Sequence, residues 1–278
     1  MTDETKAFLE VLDLDGEPYG MHSTDEEPAS GYSPKAGPPV SRELEQAGAM
    51  DWQAVWGSFS CVLGNLWLAR RKNLPAYFEA ARYGCPGASF YLGFHAPQLD
   101  FITCYVSTGV PGTPVHGERY LPDPATARRL FEEIPPRMAP ARFRVFKPLS
   151  AFESGETPET ITFFVRPEQL CGLGFLASFV TGDFEALMSP FGAGCACMTT
   201  WPLHYLSQGR LKAVLGGLDP SERKFLATDE LTLTVPKALF DLFVERWRDS
   251  YLTTDTWAGI RKKIARSAEA WARGKGGE

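Results

Sequence analysis

The sequence predicts an α+β fold built from two diverged copies of one strand-helix-strand-helix unit packed with pseudo-two-fold symmetry. Three observations carry that expectation. Shifting the chain by 110 places lays Cys61, Leu63, Gly64, Leu66, Ala76, Gly84 and Cys85 over Cys171, Leu173, Gly174, Leu176, Ala186, Gly194 and Cys195 without a gap. Seven identities in 25 positions compare with about one or two expected from ordinary residue frequencies. Glu118-Arg119-Tyr120-Leu121 resembles Glu222-Arg223-Lys224-Phe225-Leu226, each followed by a helix that carries Leu130-Phe131 in one copy and Leu239-Phe240 in the other. Short strand-like apolar runs also alternate with helical patterns along the chain. The units span residues 17–136 and 141–252, preceded by an N-terminal helix segment, 1–16, and followed by a C-terminal helix and tail, 253–278.

The first helix, 4–13, places Phe8, Leu9 and Leu12 on one face, and a strand follows at 18–24. Residues 25–48, rich in Pro, Ser, Gly and Glu, read as an insertion in the first unit, either a long loop or a lid. A helical pattern runs over 52–72 and continues at 75–83, then breaks at Gly84-Cys85-Pro86-Gly87. A short helix, 125–134, ends at Pro135-Pro136. Strands are expected at 142–146, 160–165, 213–215 and 231–235, and helices at 167–180, 236–247 and 257–272. Pro167 suits the first helical position, where a missing N–H costs nothing.

Composition removes several function classes. With 44% hydrophobic and 22% charged residues, the chain has enough apolar material for a packed core. The net charge of −6 disfavours nucleic acid. The basic cluster Arg261, Lys262, Lys263 and Arg266 reads as a solvated helix face. The longest apolar stretch, 170–180, is too short to span a membrane, and the acidic start Met-Thr-Asp-Glu lacks the features of a secretory signal. The expectation is a cytoplasmic protein with reduced thiols, acting on a small molecule or a metal, as a monomer or a homo-oligomer.

Cys85 is the most suggestive residue. With Pro86 at a helix's first position it becomes an N-cap, where free N–H groups favour a thiolate; Cys195 is its repeat partner, and buried packing is the competing role for both. His95 and His204 follow the two cysteines at ten and nine residues, so Cys85, Cys195, His95 and His204 form a candidate metal set if the units pair symmetrically. Cys195 and Cys197, joined by Cys61 and Cys171, suggest an iron–sulfur alternative, although Cys61, Cys104 and Cys171 fit better as core residues. Gly172-x-Gly174 resembles a dinucleotide fingerprint but lies inside a helix, so close packing explains it better. The turn Phe191-Gly192-Ala193-Gly194-Cys195 is the better cradle for a phosphate or carboxylate. Candidate cofactor-binding residues are therefore Gly84, Cys85, Gly192, Gly194 and Cys195. Trp52, Trp56, Trp67, Tyr91 and Trp201 read as core, or as walls for a planar ligand. The common hydrolase, P-loop and kinase motifs are absent.

The segments Phe59-Ser60-Cys61-Val62-Leu63-Gly64, Gly84-Cys85-Pro86-Gly87-Ala88, Gly117-Glu118-Arg119-Tyr120-Leu121, Val145-Phe146-Lys147-Pro148-Leu149 and Pro190-Phe191-Gly192-Ala193-Gly194-Cys195 resemble those of the family "domain of unknown function 169". The resemblance runs from about residue 8 to residue 257. That family carries no established activity, so it implies no catalytic residues. The sequence supports two readings. One is a binding protein or a redox enzyme holding a metal, iron–sulfur or small organic cofactor between its repeats through the Gly-Cys turns; the other is a non-catalytic ligand sensor or interaction protein with structural cysteines.

Overall fold

The computed structural model describes residues 1–38, 41–80, 82, 85–94, 100–110, 116–134 and 136–274. It is an α+β arrangement around a seven-stranded mixed sheet. The strands are β1 Tyr19–Thr24, β2 Ala76–Glu79, β3 Phe143–Pro148, β4 Thr160–Val165, β5 Leu187–Met188, β6 Ala213–Gly216 and β7 Leu231–Pro236, in the order β2-β3-β1-β4-β7-β6-β5. Every neighbouring pair is antiparallel except β5 and β6. The α-helices are α1 Asp3–Leu12, α2 Arg42–Gln46, α3 Trp52–Gly57, α4 Val62–Arg70, α5 Pro86–Tyr91, α6 Asp100–Tyr105, α7 Pro124–Glu133, α8 Pro167–Thr181, α9 Trp201–Ser207, α10 Lys237–Arg246, α11 Asp255–Ala258 and α12 Ile260–Gly274. A π-helical turn, Ala196–Thr200, leads into α9.

Alternation along β4 sends successive side chains to opposite faces. Ile161, Phe163 and Val165 enter a core with Phe8 of α1, Leu173 and Leu176 of α8, and Leu239 and Phe243 of α10. Phe164 faces the other way, into a core with Tyr19, Leu63 and Leu66 of α4, and Met198 of the π turn. The sheet is thus covered on both faces. On the second face Thr162 and Thr234 pair their hydroxyls at 3.0 Å, and the Thr160 hydroxyl donates to the Met198 carbonyl at 3.0 Å, seating the π turn on the strands.

The long helix at 167 forms as expected. The Arg166 N–H donates to the Gln169 side chain at 2.8 Å, and Gly182 ends the helix in the left-handed region at φ 67°. The glycines inside it serve close packing: a Cβ on Gly172 would lie 2.8 Å from the Trp257 ring.

Two local expectations are corrected. Residues 75–83 carry the strand β2, because pairing with β3 supplies a ladder that the local pattern does not announce. The pattern over 52–72 is two helices, α3 and α4, separated at 58–61. The insertion 25–48 is largely irregular, with the short helix α2 and a bridge from Tyr32 to Ala76. Among the described residues no helix is long and apolar enough to cross a membrane.

An ion pair with a buried guanidinium locks the sheet to the segment after α5. Arg144, 1% exposed, donates to the Glu159 carboxylate at 2.7 Å, to the Ser23 hydroxyl at 2.8 Å and to the Leu92 carbonyl at 3.1 Å. These bonds fix the C-terminal end of α5, and with it the cysteine at its start.

Candidate functional site

A cavity of about 780 Å³ opens between α4, α5, α6 and the glycine-rich turn before the π helix. Volumes of this size hold drug-sized or cofactor-sized molecules. Its walls are mostly apolar: Tyr91 of α5, Phe101 and Ile102 of α6 and Phe131 of α7 form one side, and Phe191 and Phe225 belong to the other. Edge-to-face packing of Phe90 on Phe131 at 5.5 Å and a 4.4 Å contact between Trp52 and Phe101 back the first side.

Three cysteines at helix starts line this cavity. Cys61 is the N-cap of α4 and Cys85 the N-cap of α5, as expected from Pro86; Cys195 immediately precedes the π turn. The π turn is held against α5 by Thr199 and Thr200, whose hydroxyls both donate to the Tyr91 carbonyl at 3.0 Å. Trp201 fixes the preceding turn by donating from Nε1 to the Phe191 carbonyl at 3.0 Å.

The thiols are not activated. Burial pushes Cys85 up to about 11, outweighing the Ala88 and Gly87 amides that pull the other way. Burial, then the Glu222 charge, raises Cys195 well above the ordinary thiol range and Cys61 likewise, while Cys197 is pushed up to about 12. The N-cap geometry expected at Cys85 is present, but near neutral pH these groups are neutral thiols.

The polar centre is Glu222, which the sequence did not single out. It is 4% exposed, and its pKa rises from 4.5 to about 7, first through burial and then through the nearby Asp219 charge. Its Oε2 accepts the Gly194 N–H at 2.6 Å and its Oε1 accepts the Cys61 S–H at 3.6 Å. A side chain at residue 194 would collide with this carboxylate, so glycine is required there for close approach. The glycine-rich turn therefore cradles a carboxylate, as its sequence suggests, but the carboxylate belongs to the chain itself.

Acidity continues outward. Asp219 is half-buried on the wall and Glu118 is exposed, held by the Tyr105 hydroxyl at 2.9 Å and the Tyr120 hydroxyl at 3.2 Å. The signal available in the sequence was the similarity of the Glu118 and Glu222 segments, which marks both acids that meet at this cavity.

Of the expected site residues, Cys85, Gly192 and Cys195 line the cavity and Gly194 holds its carboxylate. Gly84 and His95 lie outside the described residues. His204 lies on α9, edge-on to Trp201 at 5.9 Å and paired with Gln208 at 3.0 Å, and does not line the cavity. Among the described residues no group of three or more His, Cys, Asp or Glu is arranged to hold a metal ion. The four-thiolate alternative does not assemble: Cys171 is exposed on α8, whose core lies on the opposite face of the sheet from α4 and Cys61. Cys197 packs with Tyr205 and Val214, in a different cluster from Cys195. Among the expected aromatic walls, Tyr91 lines the cavity, whereas Trp67 and Trp201 do not.

Fold and site together define an α+β protein with a largely apolar, thiol-walled cavity around one buried carboxylate. The chain matches the family model of DUF169, described as uncharacterised ArCR, over residues 7–246, and it belongs to that family. No curated protein and no solved structure matches it.

Proposed function

We propose that this chain binds a small organic molecule in the cavity, with Glu222 as its polar anchor and the cysteines as neutral wall groups. The observation that carries the reading is a large apolar cavity on which, among the described residues, one buried, incompletely paired carboxylate converges. Its described lining residues fall within 59–131 and 189–225, inside the two stretches, 17–136 and 141–252, that the sequence suggests as units. Protonated thiols are poor nucleophiles and poor ligands, so neither a redox step nor a metal is assigned to them.

Titration with the neutral dye Nile red tests this. The wild-type chain binds one equivalent with a fluorescence increase. Gly87→Leu adds a side chain at a wall position where a Cβ meets only the Cys85 sulfur, at 3.7 Å, so it fills the cavity without a backbone clash. It weakens the dye by about tenfold or more while the helix keeps its stability. No binding by the wild type, or equal binding by both, overturns the reading.

A further inference from the structure

The charges around the cavity are lopsided. Glu118, Asp219 and Glu222 form an acidic series running from an exposed through a half-buried to a buried position. The one cation among the described lining residues is Lys224, an exposed side chain whose ammonium lies 5.1 Å from the Phe225 ring centroid. Neighbouring Arg223 is turned away: it donates to the carbonyls of Gly217, Ala227, Thr228 and Glu230 at 2.6–3.1 Å. An incoming anion would meet three carboxylates and find the Gly194 amide already taken.

We infer that the cavity selects a lipophilic cation, an apolar body bearing one basic nitrogen, which pairs with Glu222 and Asp219 while its body lies against Tyr91, Phe101 and Phe131. This rests on the ligand-binding reading above and names its ligand class. Glu222 uses two of roughly four acceptor sites, so its carboxylate retains capacity for an N–H donor. Aromatic faces add attraction for a cation in a desolvated site. The acid series also draws a cation inward, because clefts lined with one sign of charge concentrate the opposite sign.

Calorimetric titration of the full chain at about pH 8, where an alkylamine is charged and a carboxylic acid ionised, compares three probes of equal length: 4-phenylbutylamine, 4-phenylbutanol and 4-phenylbutyrate. The amine binds about tenfold or more tighter than the alcohol, and the butyrate is weakest. Glu222→Gln, which keeps an acceptor for Gly194, cuts the amine's advantage over the alcohol to about threefold or less. Asp219→Asn gives a partial loss and serves in its place if the first variant does not fold. Equal binding of amine and alcohol, or preference for the butyrate, overturns the cation inference. If Nile red binds and the amine does not, the cation inference falls alone; if neither binds, the ligand-binding reading falls with it.

Discussion

Two carboxylates in this molecule, half-buried Glu159 and buried Glu222, have opposite surroundings. Glu159 meets the Arg144 guanidinium and the Ser23 hydroxyl, both at 2.7 Å, in a pair that ties β1, β3 and the end of α5 together. Among the described residues Glu222 has no cation partner; it has one amide, one thiol and a second carboxylate nearby. The buried charge of that pair, Arg144, is matched by a carboxylate, a hydroxyl and a carbonyl, and is architecture. A buried charge left short of partners beside a cavity costs stability, and its presence points to a partner that comes from outside.

The largest expected effect breaks the architectural side. Arg144→Ala empties a buried site, leaves half-buried Glu159 without its cation and frees the Leu92 carbonyl, and urea unfolding is expected to show a loss of about 3–4 kcal/mol. A loss below about 1 kcal/mol would place this pair among weak surface bridges.

On the other side, removing the charge of Glu222 is expected to help. The folded pKa, about 7, lies above the ordinary 4.5, so the folded state binds the extra proton between those values. Stability is full below about pH 4.5 and falls as pH rises through 7, with a deficit on the order of 3 kcal/mol above it. Glu222→Gln removes that pH dependence, so by urea unfolding the variant is more stable than wild type at about pH 8 and close to it at about pH 4.

Gly194→Ala sharpens the comparison, since its methyl group collides with the Glu222 carboxylate. A cost of about 1–3 kcal/mol is expected together with loss of the amine preference. The smallest effect concerns the thiols. Mild iodoacetamide at neutral pH is expected to modify exposed Cys171 before Cys61, Cys85 or Cys195, as read by peptide mass spectrometry. Fast labelling of Cys85 would mean that the N-cap amides prevail over burial.

Much of the fold was legible because it is written locally. Helix α8 announces itself through Pro167 and Gly182, α7 through its apolar spacing, and β4 and β7 through β-branched and aromatic runs. Strand β2 was not legible, because four residues become a strand only through β3, more than sixty positions away in sequence. The 110-residue shift that aligns Cys61 with Cys171 superposes α4 on α8, yet these helices cover opposite faces of the sheet. A two-fold axis normal to the sheet would keep them on one face. The site was half legible: the Gly-Cys segments meet at the cavity, but Glu222 sits in the polar run Asp219-Pro220-Ser221-Glu222-Arg223, which resembles any surface turn. Only packing against Gly194 buries it, and burial is what changes its chemistry.

The most direct test is an NMR pH titration of the Glu222 side-chain carboxyl carbon in the ligand-free chain. A midpoint near 7, falling when Asp219 is replaced by Asn, is the result expected of a desolvated, incompletely paired carboxylate. A midpoint at the ordinary 4.5, unmoved by that substitution, would contradict it and reduce Glu222 to a solvated turn residue.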